Sequence, residues 1–251
     1  MNHFWELLWV MTDKELRARY KHTVFGFFWM VVNPLLQMLI IGFIFPLVVK
    51  QTVDHYYLYL FTGLLIWNFF SLSLTKATPS IVNERSLIKK SVFPRSVIPV
   101  SIIFSNLVHY LAALILFLIP LLFIQHFSIM SLVYFLSGLA LLILFIVGFC
   151  LLTSALNVRY RDINFFVQAL LIVWFYATPI VYSLSQIPHR LLWLWRLNPL
   201  TSVLQLMQLA FLNAPGPGPA MLVSNISVIM FVAVIGIYTF WKENKTFDDW
   251  L

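Results

Sequence analysis

The sequence predicts an all-α integral membrane protein with six transmembrane helices, and three features of its 251 residues carry that prediction. The chain is 61% hydrophobic and 10% charged, whereas a soluble domain averages about 25% charged residues. So few charges cannot coat a soluble surface, and so much apolar content excludes a disordered chain. The charges are also missing in blocks: residues 22–49, 55–75, 96–158, 163–189 and 197–241 contain no Asp, Glu, Lys or Arg. Finally, when these blocks are threaded through a bilayer, thirteen of the sixteen basic residues fall on one side, as the positive-inside rule requires.

A hydrocarbon core of about 30 Å needs about 20 helical residues. The block 96–158 has 63 residues and would be about 95 Å long as one helix. It must fold back, and the polar Gln125-His126-Phe127-Ser128 is the natural turn. Pro215-Gly216-Pro217-Gly218-Pro219 interrupts the block 197–241, because proline cannot continue a helix. The predicted spans are 27–49, 57–75, 98–124, 129–156, 163–182 and 220–241. Their continuity argues against a transmembrane β-barrel, whose strands alternate.

Residues 2–21 precede the first span as an amphipathic segment. Phe4, Trp5, Leu7, Leu8 and Met11 make an apolar side, and Lys14, Arg17 and Lys21 recur at helical spacing. Thr12 and Glu15 have capping-box spacing, which predicts a break near Thr12. The segment reads as a helix at the headgroups or as a plain extension of span one. It is too long and too acidic for the head of a cleavable signal, so none is expected.

Residues 76–97 follow span two. Thr78-Pro79 starts a helix. Ile81, Ile88 and Val92 share a side, Glu84, Arg85, Lys89 and Lys90 decorate the others, and Phe93-Pro94-Arg95 ends it. Spacing alone fits a docking knob for a soluble partner and an ordinary basic loop equally well. A third basic turn, Asn157 to Asp162, separates spans four and five; its plain reading is headgroup anchoring. Segment 183–218 is apolar, yet it carries Arg190, Arg196 and a central Asn198-Pro199. Each half is too short to cross, so a re-entrant helical hairpin from the outer face is expected, covered by protein or by a water-filled cavity. Lys50, Arg190 and Arg196 lie outside and both termini face the cytoplasm.

Much chemistry is missing from the sequence. It has no G-x-x-x-x-G-K-[ST], no H-E-x-x-H and no G-x-S-x-G. A single cysteine, Cys150, excludes an internal disulfide framework. The predicted spans hold no acids, which argues against a carrier driven by protons or sodium. The net charge of +7 reads as topology rather than as nucleic-acid binding. His109 is the ionisable group placed well inside a span, either as a functional group or bonded to a neighbouring helix. Asn68, Ser71 and Thr75 share a face of span two, for helix–helix hydrogen bonds or for lining a path. Mid-span rings such as Phe70 and Trp174 serve core packing or stack sugars.

Taken together, LRARYKHTVFGFFWMVVNPLLQ (16–37), GLLIWNFFSLSLTKA (63–77), LIKKSVFPRSVIPVS (87–101), LNVRYRDI (156–163), TPIVYSLSQIP (178–188) and LNPLTSV (197–203) run in the order of a known family. The sequence resembles the permease subunit of type-2 ABC exporters of cell-surface polysaccharides such as O-antigen, capsule and teichoic acid. The resemblance runs to about residue 203; the last forty residues match only as a generic final span. It implies a homodimer in the bacterial cytoplasmic membrane. Two separate ATPase subunits would bind ATP and Mg, and this chain would hold no cofactor and hydrolyse nothing. The substrate would be an undecaprenyl-pyrophosphate-linked glycan moving between the two permease copies.

The same resemblance makes residues 2–21 an interfacial helix, 78–92 a coupling helix and 183–212 the periplasmic re-entrant hairpin. Ile81, Glu84, Arg85, Leu87, Ile88 and Lys89 would dock the ATPase. Arg17, Arg19, Lys21, Arg159 and Arg161 would contact the lipid pyrophosphate. Phe28, Tyr59, Trp67, Phe70 and Trp174 would line the channel. The alternatives are a type-2 exporter of drugs or lipids, and an ATPase-independent channel or membrane enzyme.

Overall fold

The computed structural model describes residues 2–21, 28–48, 55–91, 93–123 and 127–250, and every regular element among them is helical. The chain runs α1 (Asn2–Tyr20), α2 (Trp29–Val48), α3 (Tyr56–Ala77), α4 (Ser80–Asn83), α5 (Arg85–Lys90), α6 (Val97–Leu122) and α7 (Ile129–Arg159). It continues with α8 (Asp162–Ala177), α9 (Leu192–Leu197), α10 (Leu200–Leu212), α11 (Pro219–Glu243) and α12 (Phe247–Trp250). Four of these helices, α3, α6, α7 and α11, are long and apolar enough to cross a bilayer. Shorter apolar helices occupy Val31–Leu47, Asp162–Ala177 and Leu200–Leu212. Lys50, Val92 and the expected turn at 125–126 lie outside the described residues.

Each apolar block of the sequence contains at least one helix, but several boundaries move for identifiable reasons. The fifth predicted span stops being helical at Ala177, short of 182, because Thr178 precedes Pro179 and takes extended angles (φ −100°, ψ 137°). The expected break at Thr12 is absent: α1 runs through it, and the Thr12 hydroxyl donates back to the Leu8 carbonyl at 2.7 Å. The single helix expected over 78–92 is two short helices, interrupted at Glu84 (φ −94°, ψ 23°). α7 and α11 extend past their expected ends to Arg159 and Glu243.

Two apolar cores hold the bundle. The larger joins α3, α6, α7, α8, α10 and α11 around Phe61, Phe70, Phe145 and Leu142. The smaller gathers Leu8 and Met11 of α1, Ile81 and Ile88 of α4 and α5, the start of α6, the end of α7, Phe240 and Phe247. Most of the basic residues surround this second core, so that end of the bundle is its basic end. α1 leans along α6, and its N-terminal half shares this core with α12, so both chain ends lie there.

The signature stretches of the second half have plain structural jobs. Tyr56 donates to the Val181 carbonyl at 2.9 Å and Tyr59 to that of Pro179 at 3.1 Å, tying the TPIVY segment to the start of α3. Asn198 closes the end of α8: its Nδ2 donates to the Ala177 carbonyl at 3.1 Å, and its Oδ1 accepts from Trp174 Nε1 at 3.0 Å. Asn225 of α11 accepts from the Ser202 amide at 2.9 Å and donates to the Arg196 carbonyl at 2.7 Å. The turn between α9 and α10 is thus pinned from both sides.

The closest helix crossing is α7 on α11. A Cβ on Gly148 would run into the backbone of Ala233, and one on Gly236 would run into the Gly148 carbonyl. Small residues let membrane helices approach this closely. Gly148→Val is expected to destabilise the bundle by about 3 kcal/mol or more through overpacking. Gly218→Ala, where an added Cβ meets nothing within 4 Å, leaves stability unchanged. Thermal unfolding in detergent checks both.

Candidate substrate cavity and docking face

A cavity of about 530 Å³ opens between the C-terminal end of α1 and helices α2, α3 and α6. α6 places Asn106 and His109 three residues apart, so both face α1, and both are buried. Arg19 reaches in to them: Nη2 donates to Asn106 Oδ1 at 2.6 Å and Nη1 to His109 Nδ1 at 2.8 Å. A guanidinium has only donors, so His109 accepts through Nδ1. Asn106 passes the network on, donating to Ser73 Oγ of α3 at 3.1 Å. Lys76, one turn further toward the basic end of α3, lines the same mouth.

Beyond these two cations the wall changes character. Asn33 and Gln37 of α2 face Asn68, Ser71 and Thr75 of α3, and Asn68 Nδ2 donates to Gln37 Oε1 at 3.2 Å. Trp29, Phe69 and Tyr110 supply aromatic surface, with Phe69 and Tyr110 stacked at 5.4 Å. Guanidinium and ammonium groups suit a phosphate-type anion; amides and hydroxyls suit a ligand rich in hydroxyls. Ser71 and Thr75 also border a second groove of about 340 Å³, shared with Trp67, Gln168 and Phe175. α3 therefore presents an open polar strip between α2 and α8.

At the basic end, a third depression of about 620 Å³ separates α1 from α4 and α5. Leu7, Val10, Met11, Leu87 and Phe93 form its apolar lining. Lys14 Nζ pairs with Glu84 Oε1 at 2.6 Å across it.

The structure separates the residues named from sequence. Of the five basic residues assigned to pyrophosphate, Arg19 lines the cavity. Arg17 is exposed and paired with Asp13 at 2.7 Å; its pKa is raised, first by that hydrogen bond and then by the carboxylate's charge. Lys21 and Arg161 are exposed, and Arg159 lies over the rings of Tyr160 and Trp250. Of the docking residues, Arg85 and Lys89 are exposed, Glu84 and Leu87 line the third depression, and Ile81 and Ile88 are buried in the second core.

Among the aromatics, Phe70 is fully buried and stacks on Phe145 at 5.5 Å. Trp174 meets Phe70 edge-on and donates its Nε1 to Asn198. Tyr59 is buried against 179–182. Phe70 and Tyr59 belong to the core, and half-buried Trp174 packs against it. Trp67 borders the second groove and Phe28 is exposed near the start of α2. Sequence reasoning passed over Lys76 as a lining cation, and Asn33 and Gln37 altogether. The signal was there, since Asn33 and Gln37 are four residues apart on one face of an otherwise apolar run.

The pattern of the ABC-2 type transporter family matches residues 6–212. The chain belongs to this family. An O-antigen export system permease protein RfbA of Klebsiella pneumoniae is 36% identical over 217 residues, covering 85% of this chain and 83% of the relative. Another protein of that name from the same organism is 33% identical over 257 residues, covering 99% and 96%. A Myxococcus xanthus protein of the same name is 32% identical over 242 residues, covering 94% and 93%. The cavity and the third depression both fall inside the stretch that defines the family.

Asn106→Leu removes one partner of Arg19 and one of Ser73 in buried surroundings. A loss of about 1–3 kcal/mol is expected, seen as lower thermal stability in detergent. Combined with Arg19→Gln, the two losses are expected to be non-additive by about 1 kcal/mol.

Proposed function

We propose that this chain is the membrane subunit of an ATP-driven exporter that moves a lipid-linked polysaccharide of the O-antigen type across the bacterial cytoplasmic membrane. The observation that carries the reading is the cavity: two cations at its mouth and amides, hydroxyls and rings beyond them, in a chain whose relatives are named for O-antigen export. Arg19 and Lys76 take the diphosphate of the carrier lipid, and the amides of Asn33, Gln37 and Asn68 meet the first sugars.

In this reading α2, α3, α6, α7, α8 and α11 cross the membrane, and both termini face the cytoplasm. α8 has 16 residues, or about 24 Å, and the extended segment after it completes the crossing. The hairpin α9–α10 dips in from the outer face. Asn68, Ser71 and Thr75 of α3 are half-buried and the neighbouring Gln168 is exposed, and such groups are costly against lipid. They therefore meet a second copy of the chain, and the glycan passes between the copies. ATP and Mg are bound by two separate ATPase subunits, which seat on α4, α5 and the depression beside them.

Cells lacking this chain, complemented with Arg19→Gln or Lys76→Gln, test the cavity. Each change removes a charge-assisted contact of about 1.5–3 kcal/mol, so surface glycan is expected to fall about tenfold or more, with lipid-linked polymer accumulating inside. Lys21→Gln leaves export intact. Normal surface glycan from either cavity variant at normal protein level overturns the assignment.

Glu84→Lys with Lys89→Glu reverses the charges offered to the ATPase. Loss of co-purification with the ATPase, or of its stimulation, is the expected result. Retention of both refutes docking on α4 and α5.

A further inference from the structure

The last residues of the chain lie beyond the family pattern, which ends at residue 212, yet they are tied into the basic end by three independent contacts. After α11 the chain turns tightly, with the Thr246 amide donating to the Glu243 carbonyl at 2.9 Å. α12 then returns toward the bundle. Phe247 is buried to 1% exposure and meets Phe240 edge-on at 5.5 Å. Arg95, in the short link between α5 and α6, donates from Nη1 to the Asn244 carbonyl at 2.7 Å. Its guanidinium also lies 6.0 Å above the Phe247 ring. At the far side of the tail, the Arg159 guanidinium lies 5.2 Å above the Trp250 ring.

These contacts add to the direct packing of α4 and α11 on α7 and bring the tail onto all three. Arg95 belongs to the exit of the α4–α5 segment, Arg159 to the end of α7, and Phe240 to α11. Phe247 shares one apolar cluster with Ile81 and Ile88 of α4 and α5. α7 and α11 are already locked backbone to backbone at Gly148 and Gly236. A push on α5 reaches α6 directly through the chain and α7 through α4 and α6, and this cluster adds a path that includes the end of α11.

We propose that residues 244–250 form a clasp that makes α4–α5, α7 and α11 move as one body, with Arg95 and Phe247 as its positioning residues. The inference rests on the reading that an ATPase pushes on α4 and α5. With the clasp intact, a displacement of α5 is carried to the last span. Without it, the link 91–96 absorbs the displacement, and ATP is spent without moving glycan.

The test uses the whole permease–ATPase complex. Phe247→Ala and Arg95→Gln are compared with wild type and with the conservative Phe247→Leu. Arg95→Gln keeps a donor for Asn244 but loses the cation above the ring. Co-purified ATPase, ATP hydrolysis and glycan delivered to the surface are measured together. The expected result is normal ATPase association and hydrolysis with export down at least fivefold, so ATP used per exported polymer rises by the same factor. Phe247→Leu restores most of the export. Wild-type export from both Phe247→Ala and Arg95→Gln overturns the clasp, and so does a parallel loss of association, hydrolysis and export. The Glu84→Lys/Lys89→Glu pair is run alongside: if it keeps its ATPase, the docking reading has failed, whatever the clasp variants do.

Discussion

A half-buried cation packed against apolar helices needs acceptors for the donors it turns inward, because burying an unpaired donor is costly. Arg19 meets this condition through Asn106 and His109, and much of the cavity geometry depends on it. The two bonds draw the end of α1 against α6. Asn106, bonded in turn to Ser73, sets the spacing of α6 from α3. The space left between α1, α2 and α3 is the cavity, with its charge at one end. With an apolar residue at position 19 these bonds would be lost, and the mouth would hold a single cation, Lys76.

The same constraint organises the rest of the membrane body. At two breaks in helical geometry, side chains complete the backbone's hydrogen bonds. Asn198 covers the end of α8, and Asn225 covers the turn that leads into α10. Where no partner side chain is needed, backbones touch directly, as at Gly148 and Gly236. Exposed apolar side chains on α2, α8 and α11, such as Phe43, Phe166 and Phe231, suit lipid. The half-buried polar strip on α3 does not, and it marks the side of the bundle that suits a different neighbour.

The helices were legible in the sequence because hydrocarbon thickness and charge exclusion act on composition alone. Their ends were less so. The stop at Ala177 needed the effect of Pro179 on Thr178, and the unbroken α1 needed the Thr12 hydroxyl to turn inward rather than cap. For the site, charge type and sequence spacing picked five basic residues, but which one turns inward depends on tertiary partners. Arg17 and Arg19 are two residues apart, and only Arg19 finds an amide and an imidazole on α6. In the same way Ile81 and Ile88 had the spacing of a docking face, but that face seals the second core, leaving Arg85 and Lys89 outside. The ring cluster around Phe70 was a core, since aromatic composition does not distinguish a wall from an interior.

The most direct measurement is photocrosslinking of the lipid-linked glycan to single positions carrying a photoreactive residue. Crosslinks at Asn33 and Thr75, lost when Arg19 is replaced by Gln, are the result expected if the cavity between α1, α2 and α3 admits the substrate by its diphosphate. Crosslinks confined to exposed positions of α8 such as Phe166, and unaffected by Arg19, would contradict it.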